Sequence, residues 1–429
     1  MAQINSGINL DTVSAQQFDM GKMWTFENPP IEYFKQEYNF EPSEEWLEHT
    51  QKASLRFVNF CSASFVSGDG LIMTNHHCAR GALPNVEREG ENLLRDGFYA
   101  PTREQERKMP DWYVDQLVQI EDVTAQIQDA MSTGKNDSEK VQIKNNLIAS
   151  IEKEKSESSG YMCKVTSLYN GGKYSLYYYK RYNDIRLVFA PDLRAAKFGG
   201  DYDNFTYPRF GLDFAFFRAY ENDKPLKIRY YFQWSKEGVK EGDAVFIVGN
   251  PGNTDRINTM SQIYYQRDVQ YPMLTGTYKQ LYDILLDSVK RTNAEDFKVI
   301  ARLYSVGNGL KVFTGTLKAL QDNYLLARKA DFEKKFRTAV NADPKLKSLY
   351  GGLWDEIKTL REEAAKLAPR QFAYTITSLY SPSWLIRAQK IVQLLGTGLP
   401  KEDLTLKVDA LLPETENISL NKKYLEIQI

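Results

Sequence analysis

The spacing of apolar residues changes along this chain. Before about residue 250, short runs rich in Phe, Tyr and Val stand at 55–78 and 161–250, separated by Gly-containing turns, which predicts β-sheet. Between them, roughly 115–157 is charged and predicts one or two helices. After about residue 256 the period is helical, as in YKQLYDILLDSVKR, where apolar residues recur at i, i+3, i+4 and i+8: Leu281, Ile284, Leu285 and Val289. The sequence therefore predicts a β-rich first domain and a mostly helical second one.

A hairpin is predicted where two apolar runs flank the turn GDG in FVNFCSASFVSGDGLIMTNHHC. The midpoint between Cys61 and Cys78 falls in this turn, so a symmetric hairpin would set the two cysteines opposite each other. Opposed Cβ atoms lie roughly 4.5–5.5 Å apart, close to what a disulfide needs. We predict a Cys61–Cys78 disulfide and hence an oxidising compartment; two reduced, buried thiols are the alternative. Cys163 is then expected to be a small core residue.

The composition excludes several classes of protein. The 429 residues are 42% hydrophobic and 26% charged, with a formal net charge of -1, so no electrostatic case exists for binding nucleic acid or an anionic membrane. No apolar run is long enough to cross a bilayer. The start, MAQINSGINLDT, has neither the basic nor the apolar region of a signal peptide. Either the protein stays in the cytoplasm or a signal peptide was removed.

Two of the three histidines, His76 and His77, stand side by side before Cys78. Adjacent strand residues face opposite sides, so the pair is not expected to share a metal ion, and no C-x-x-C or H-E-x-x-H pattern offers other ligands. We therefore predict no metal and no cofactor. His49 is expected to face solvent. For the adjacent pair, a structural histidine and a general base both remain open.

A general base needs a carboxylate to orient it. Asp213 precedes the strongly apolar run 214–220, and a carboxylate beside such a run usually needs a stabilising partner such as an imidazole N–H. The alternative is an exposed aspartate in a turn before a strand. Spacing alone does not decide between the two.

Longer motifs carry a resemblance. The run SASFVSGDGLIMTNHHC is similar to the histidine segment of chymotrypsin-fold serine peptidases. With YYYKRYNDIRLVFAP, FGGDYDNFTYPRFGLDFAFFRAY and FIVGNPGNTDR, it resembles the bacterial dipeptidyl-peptidase family that contains dipeptidyl-peptidases seven and eleven. The resemblance implies a β + α fold, a chymotrypsin-like double β-barrel with an inserted, mostly helical cap domain. It also implies release of dipeptides from the free N-terminus of peptides.

The resemblance also implies a division of the chain. Residues 1–230 would form the first barrel, carrying His77 and Asp213, with the helical insertion near 115–157. Residues 231–255 would begin a second barrel that is incomplete here, and 256–429 would form part of the helical cap.

Carried over by position, the resemblance makes His77 the general base and Asp213 the acid that orients it. Asn204 and Phe205 would bind the substrate's α-amino group, and Asn308 would add a second amine-binding asparagine. Turn capping is the alternative for Asn204, and a polar group at a helix end is the alternative for Asn308. Three positions depart from the family pattern: Phe205 and Tyr207 replace tryptophans, and Phe210 stands where the family often has histidine.

The family's nucleophile lies in a Gly-x-Ser-Gly-type turn, and residues 214–429 contain none. We therefore expect this chain to be an N-terminal portion that is inactive by itself. A chymotrypsin-fold endopeptidase and a non-catalytic peptide-binding protein are the alternatives. The expected partners are peptides with a free N-terminus, with homodimerisation left open. The expected location is the periplasm or the cell surface.

Overall fold

The structure is a computed structural model that describes residues 12–19, 21–251, 256–291, 296–377, 379–396, 399–411 and 418–428. These residues divide into two compact units. The β unit comprises 23–197 and 210–251, and the helical unit comprises 12–22, 198–209 and 256–428 without the gaps just given. Residues 198–209, which the sequence assigned to the first domain, therefore pack with the helices.

The β unit contains a large antiparallel sheet. Its strands are β1 Ser54–Phe57, β2 Cys61–Phe65, β3 Leu71–Thr74, β4 Phe98–Tyr99, β5 Arg107–Lys108, β6 Val114–Asp122, β7 Met162–Leu168, β8 Lys173–Tyr182, β9 Asp184–Ala190, β10 Ala215–Glu221 and β11 Lys224–Pro225. The strand order is β4-β9-β10-β3-β2-β1-β6-β8-β7, with β11 on β10 and β5 on β9. A closed double barrel stays a prediction.

Alternating side chains build the core of this sheet. Period-2 alternation places every second residue of a strand on one face, and the fully buried residues come from neighbouring strands. The large ones include Leu55, Phe57, Phe65, Ile72, Ile185, Leu187 and Phe217. The rings of Phe57 and Phe217 pack 5.2 Å apart, which joins the middle of the sheet to β10.

The helices described in the β unit are short except for α6, which has 23 residues. They are α1 Ile31–Tyr38, α2 Glu44–Ala53, α3 His76–Ala79, α4 Leu93–Asp96, α5 Thr124–Ser132 and α6 Asp137–Ser159. The predicted helical segment 115–157 is wrong at its start, because residues 114–122 form β6 and pair with β1 and β8. Helices α5 and α6 cover a core that includes Cys163, which is buried and free, as predicted.

The segment predicted to begin the second barrel does not form strands within its described residues, 231–251. A strand needs a partner for its backbone groups, and no ladder is present for this stretch in the described structure. The segment is instead held at single points. The Phe246 ring packs 5.0 Å from that of Phe34 and 5.5 Å from that of Trp46, and Asn250 N–H donates to Ser62 Oγ at 2.7 Å.

The helical unit follows the amphipathic pattern read from the sequence. Its helices are α7 Met260–Tyr265, α8 Tyr271–Arg291, α9 Phe297–Leu320, α10 Asn323–Ala342, α11 Pro344–Tyr350, α12 Leu353–Tyr374, α13 Ser383–Leu395, α14 Lys401–Asp409 and α15 Ile418–Gln428. A π-helical turn, Gln266–Gln270, links α7 to α8. Leu281 and Leu285 are buried in the core, and Ile284 and Val289 pack against it, as the spacing predicted. None of the described helices has both the length and the apolar content that a membrane crossing requires.

Candidate active site

The Cys61–Cys78 disulfide is present, with the two Cα atoms 6.3 Å apart. The geometry by which the sequence predicted it is wrong. Strand β2 pairs with β3 so that Phe65 faces Ile72. Continuing this register would bring Cys61 opposite position 76. Strand β3 ends at Thr74 and the chain turns into α3, and this helical turn brings Cys78 back to Cys61.

The side chains of His77 and Asp213 meet as predicted. His77 Nδ1 lies 2.8 Å from Asp213 Oδ2, and the backbone N–H of His77 donates to Oδ1 at 3.0 Å. Asn75 Nδ2 donates to Oδ2 at 3.3 Å, so both carboxylate oxygens are held. The sheet register explains the meeting, because β10 pairs with β3 at Ala215 and Thr74 and so brings Asp213 beside the start of α3. The roles assigned to this pair stay predictions.

The hydrogen bond also fixes the histidine tautomer. An ionised carboxylate only accepts hydrogen bonds, so Nδ1 of His77 carries the proton and Nε2 is the basic nitrogen. The His77 side chain is 32% exposed and that of Asp213 18%, so the imidazole is the more accessible of the two groups. This arrangement can take a proton at Nε2 and stabilise the imidazolium that results.

His76 lies in a different environment. It is fully buried, and among the described residues neither ring nitrogen has a hydrogen-bond partner. Burial lowers its pKa from 6.5 to about 4, helped by the nearby cation of Arg80, so the ring is neutral at neutral pH. The two histidines differ because successive residues of a helical turn are about 100° apart, not because they alternate along a strand as the sequence suggested.

The described residues bring one set of potential metal ligands together, namely Cys61, His77 and Cys78. Both sulfurs are joined in the disulfide and cannot be thiolates, so this set does not fit a thiolate-bound metal. The expectation that His49 faces solvent is wrong. His49 is half-buried, and its Nε2 lies 2.9 Å from the carbonyl oxygen of Tyr231.

In the helical unit, the structure brings together the two asparagines named as amine ligands. Asn204 is 1% exposed, and its Nδ2 donates to Asn308 Oδ1 at 3.2 Å. Asn308 lies in the middle of α9, which contradicts the helix-end alternative. The carry-over of the amine-binding role stays a prediction.

Two glycines flank Asn308, and each allows a close approach to α9. A Cβ on Gly307 would stand 2.9 Å from Gly200 Cα, and one on Gly309 would overlap the ring of Tyr278. Gly200 itself has φ +74°, which favours glycine. Glycine inside a helix costs about 1 kcal/mol relative to alanine, so α9 gives up stability at Gly307 for close contact with the 198–209 loop and at Gly309 for close contact with α8.

Two cations that the sequence reading missed bind this loop. Arg209 Nη1 donates to Asn204 Oδ1 at 3.1 Å and Nη2 to Asp201 Oδ2 at 2.9 Å. Lys311 Nζ donates to the backbone carbonyls of Asp201, Tyr202 and Asn204 at 2.6, 2.8 and 3.0 Å. The one available signal was spacing, since Lys311 stands three residues after Asn308 on the same face of a helix.

The three aromatic positions that depart from the family pattern are exposed. Phe205 has φ +61°, and its ring lies 6.3 Å from that of Phe198. Tyr207 and Phe210 are 97% and 88% exposed. The amine-binding role of Phe205 stays a prediction.

Comparisons with known proteins give matches to peptidases. The family model described as Peptidase S46 matches residues 18–408. The chain is 31% identical over 324 residues to dipeptidyl-peptidase 7 of Capnocytophaga gingivalis, covering 73% of this chain and 45% of that protein. It is 31% identical over 353 residues to an Asp/Glu-specific dipeptidyl-peptidase of Shewanella putrefaciens, covering 79% and 47%. The chain thus spans about half the length of these relatives.

A solved structure is also similar. DPP11 of Porphyromonas endodontalis, in complex with the dipeptide Arg-Glu, matches with a TM-score of 0.77 at 21% identity. The match covers 95% of this chain and 62% of that one. At this identity the likeness shows a shared fold, a mixture of a large antiparallel sheet and many helices.

Proposed function

Because the chain belongs to the peptidase S46 family, we propose that it is part of a serine exopeptidase that releases dipeptides from the free N-terminus of peptides. The observation that carries the proposal is the His77–Asp213 pair, in which one carboxylate accepts both the ring N–H and the backbone N–H of the histidine. The fold we propose for the whole protein is a chymotrypsin-like double barrel with a helical cap.

In this mechanism Asp213 holds His77 in one tautomer and one orientation. Nε2 then accepts the proton of a seryl hydroxyl as the oxygen attacks the peptide carbonyl, and returns it to the leaving amine. Asp213 stays ionised and stabilises the imidazolium between these steps. The nucleophile is not assigned to any residue of this chain, and the same applies to the oxyanion hole.

The exopeptidase activity depends on Asn204 and Asn308. An α-ammonium group needs hydrogen-bond acceptors, and each amide oxygen has two lone pairs, of which the network just described uses one. Two buried or half-buried amides joined in this way form a polar site suited to a chain terminus. This favours a dipeptidyl-peptidase over an endopeptidase, which has no need of an amine site.

The protein is proposed to work in the periplasm or at the cell surface. The disulfide beside His77 supports this, because such bonds persist in oxidising compartments and are rare in the cytosol. A chymotrypsin-fold endopeptidase and a non-catalytic peptide-binding protein remain the competing functions, and activity on blocked peptides separates the first of them.

The test compares residues 1–429 with the same chain extended through any reading frame that continues past codon 429. Both are assayed on fluorogenic peptides with a free or an acetylated N-terminus, and with a fluorophosphonate probe that labels activated serines. We expect turnover of free-amine peptides and labelling for the extended protein alone. His77→Ala in that protein is the matched control and should abolish both.

Equal hydrolysis of acetylated peptides would favour the endopeptidase. Turnover or labelling of residues 1–429 alone would show that a nucleophile lies within this chain. If neither residues 1–429 nor the extended protein shows turnover or labelling, the peptide-binding alternative is favoured.

A further inference from the structure

We propose that Arg209 and Lys311 are positioning residues of the amine site, which set the direction in which the amides of Asn204 and Asn308 point. This inference rests on the proposed exopeptidase function. It concerns residues within the helical unit, where all the contacts that carry it are found.

Arg209 fixes the first amide. A guanidinium donates and never accepts, so the atom of Asn204 that faces Arg209 Nη1 at 3.1 Å must be the amide oxygen. Rotating the amide by half a turn would set an NH2 group against the guanidinium and lose the hydrogen bond. Arg209 is held in turn by Asp201, with both side chains largely buried, and its guanidinium lies 4.6 Å from the centre of the Phe198 ring.

The first amide then fixes the second. With its oxygen towards Arg209, Asn204 presents its NH2 group to Asn308 at 3.2 Å, and the facing atom of Asn308 must be an oxygen. A single donor-only residue therefore orders both amides through a one-way chain of hydrogen bonds. The consequence is that an amide oxygen of each asparagine has a defined direction, which an incoming ammonium group requires and which freely rotating amides would not provide.

Lys311 fixes the loop on which Asn204 stands. Its ammonium group donates to the carbonyls of Asp201, Tyr202 and Asn204, which uses all three of its N–H donors. It stands three residues after Asn308, so one face of α9 carries both the second amide and the group that anchors the first. A neutral side chain at this position would leave three carbonyls of the loop without their donor.

The experiment measures the affinity of residues 1–429 for two tetrapeptides, Ala-Asp-Ala-Ala and Ala-Phe-Ala-Ala, each with a free and an acetylated N-terminus. We expect Arg209→Met and Lys311→Met each to lower affinity for the free-amine forms by about tenfold, the usual effect of one charge-assisted hydrogen bond. Affinity for the acetylated forms should not change. Arg209→Lys and Lys311→Arg, which keep a donor-only cation, should recover most of the loss.

Two further proteins control for folding. Lys318→Met removes an exposed lysine from the same helix and should bind like the wild type. Asp201→Asn combined with Arg209→Met avoids leaving an unpaired carboxylate, keeps an oxygen for the N–H of Gly199, and should show the same loss as Arg209→Met. The side-chain amide NMR signals of Asn204 and Asn308 should both move in Arg209→Met and return in Arg209→Lys.

The outcomes separate the two proposals. A wild type that binds free and acetylated peptides equally overturns the amine site and this inference with it. A wild type that prefers free amines, beside Met variants that keep that preference and unmoved amide signals, overturns the positioning role alone.

Discussion

At the scale of single residues, loss of the Asp213 carboxylate should lower kcat far more than loss of Asn75, which holds that carboxylate. Asp213→Asn would present an NH2 group to His77 and favour the wrong tautomer, which lowers kcat by about 10⁴-fold in this kind of catalytic arrangement. Asn75→Ala removes one weaker hydrogen bond to the same carboxylate and should cost about tenfold. Steady-state kinetics of the two variants, made in the extended protein that is expected to turn over peptides, measures both losses in kcat. Equal losses in the two variants would contradict the assigned role of Asp213.

His76 should make the fold sensitive to acid. Its pKa is about 4 in the folded protein and 6.5 when exposed, so between these values the unfolded chain binds more protons and stability falls as pH falls. At 1.36 kcal/mol per pKa unit, this loss is about 3 kcal/mol from pH 6.5 to pH 4. The nearby charges of Arg80 and His77 lower the pKa of His76 further, whereas those of Asp213 and Asp192 raise it.

His76→Phe keeps a ring of similar size without the titrating group, and should flatten this part of the stability profile. Urea unfolding at a series of pH values measures it, with His49→Gln as the matched control that keeps the slope. The same slope in His76→Phe and wild type would show that other groups cause the acid loss.

The sequence predicted some residues of the site and missed others for a physical reason. Asp213 became a candidate because it stands beside a long apolar run, and His77 because it is one of two adjacent histidines, but only the resemblance to a peptidase family chose between the alternatives for each. Arg209 and Lys311 bind backbone carbonyls and an amide, contacts that depend on how a loop meets a helix. Nothing in a linear pattern marks those contacts.

At the scale of elements, the disulfide holds the helical turn α3 to strand β2. The bond closes a loop of sequence separation 17, so the chain-entropy model gives about 3 kcal/mol of stabilisation. We expect Cys61→Ala with Cys78→Ala to lower the free energy of unfolding by about this amount. Reduction should destabilise the wild type equally and leave the double variant unchanged, which urea unfolding with and without reductant tests. A reductant effect on the double variant would point to another cause.

The hairpin shows why elements are easier to predict than their register. The GDG turn and the flanking apolar runs indicated β2 and β3 correctly. A helical turn of four residues, HHCA, is too short to show a periodic pattern. The prediction therefore extended β3 to Cys78, whereas the strand ends at Thr74 and its pairing with β2 ends there too.

At the scale of the whole molecule, the segment 231–251 exposes apolar side chains. Ile247 is fully exposed and Val245 mostly so, while Phe246 between them packs against aromatic rings. Ile247→Lys should therefore reduce self-association without loss of stability. Phe246→Ala should cost about 2 kcal/mol, near half the cost for a fully buried Phe. Sedimentation and urea unfolding test the pair; a stability loss in Ile247→Lys would show that its side chain is covered in solution.

The order of domains along the chain was only partly predictable. The change of apolar period near residue 256 located the helical region correctly, because amphipathic helices carry their own signal. The assignment of residues 198–209 to that region depends on glycines that permit close packing and on a lysine that binds carbonyls, so chain order alone pointed to the wrong unit.

That placement of residues 198–209 has a consequence for anyone who divides the gene. A polypeptide ending at residue 251 would keep Asn204 and lose Asn308 and Lys311, and one starting at residue 256 would have the reverse defect. The first piece carries the described β unit whole, but the cut separates 12–22 and 198–209 from the rest of the helical unit, so the change of hydrophobic pattern is a poor place to cut. When the two pieces are produced together, however, the first contributes Gly200 and the second Gly307 to their close contact. We therefore expect the pieces to reassemble as a split protein.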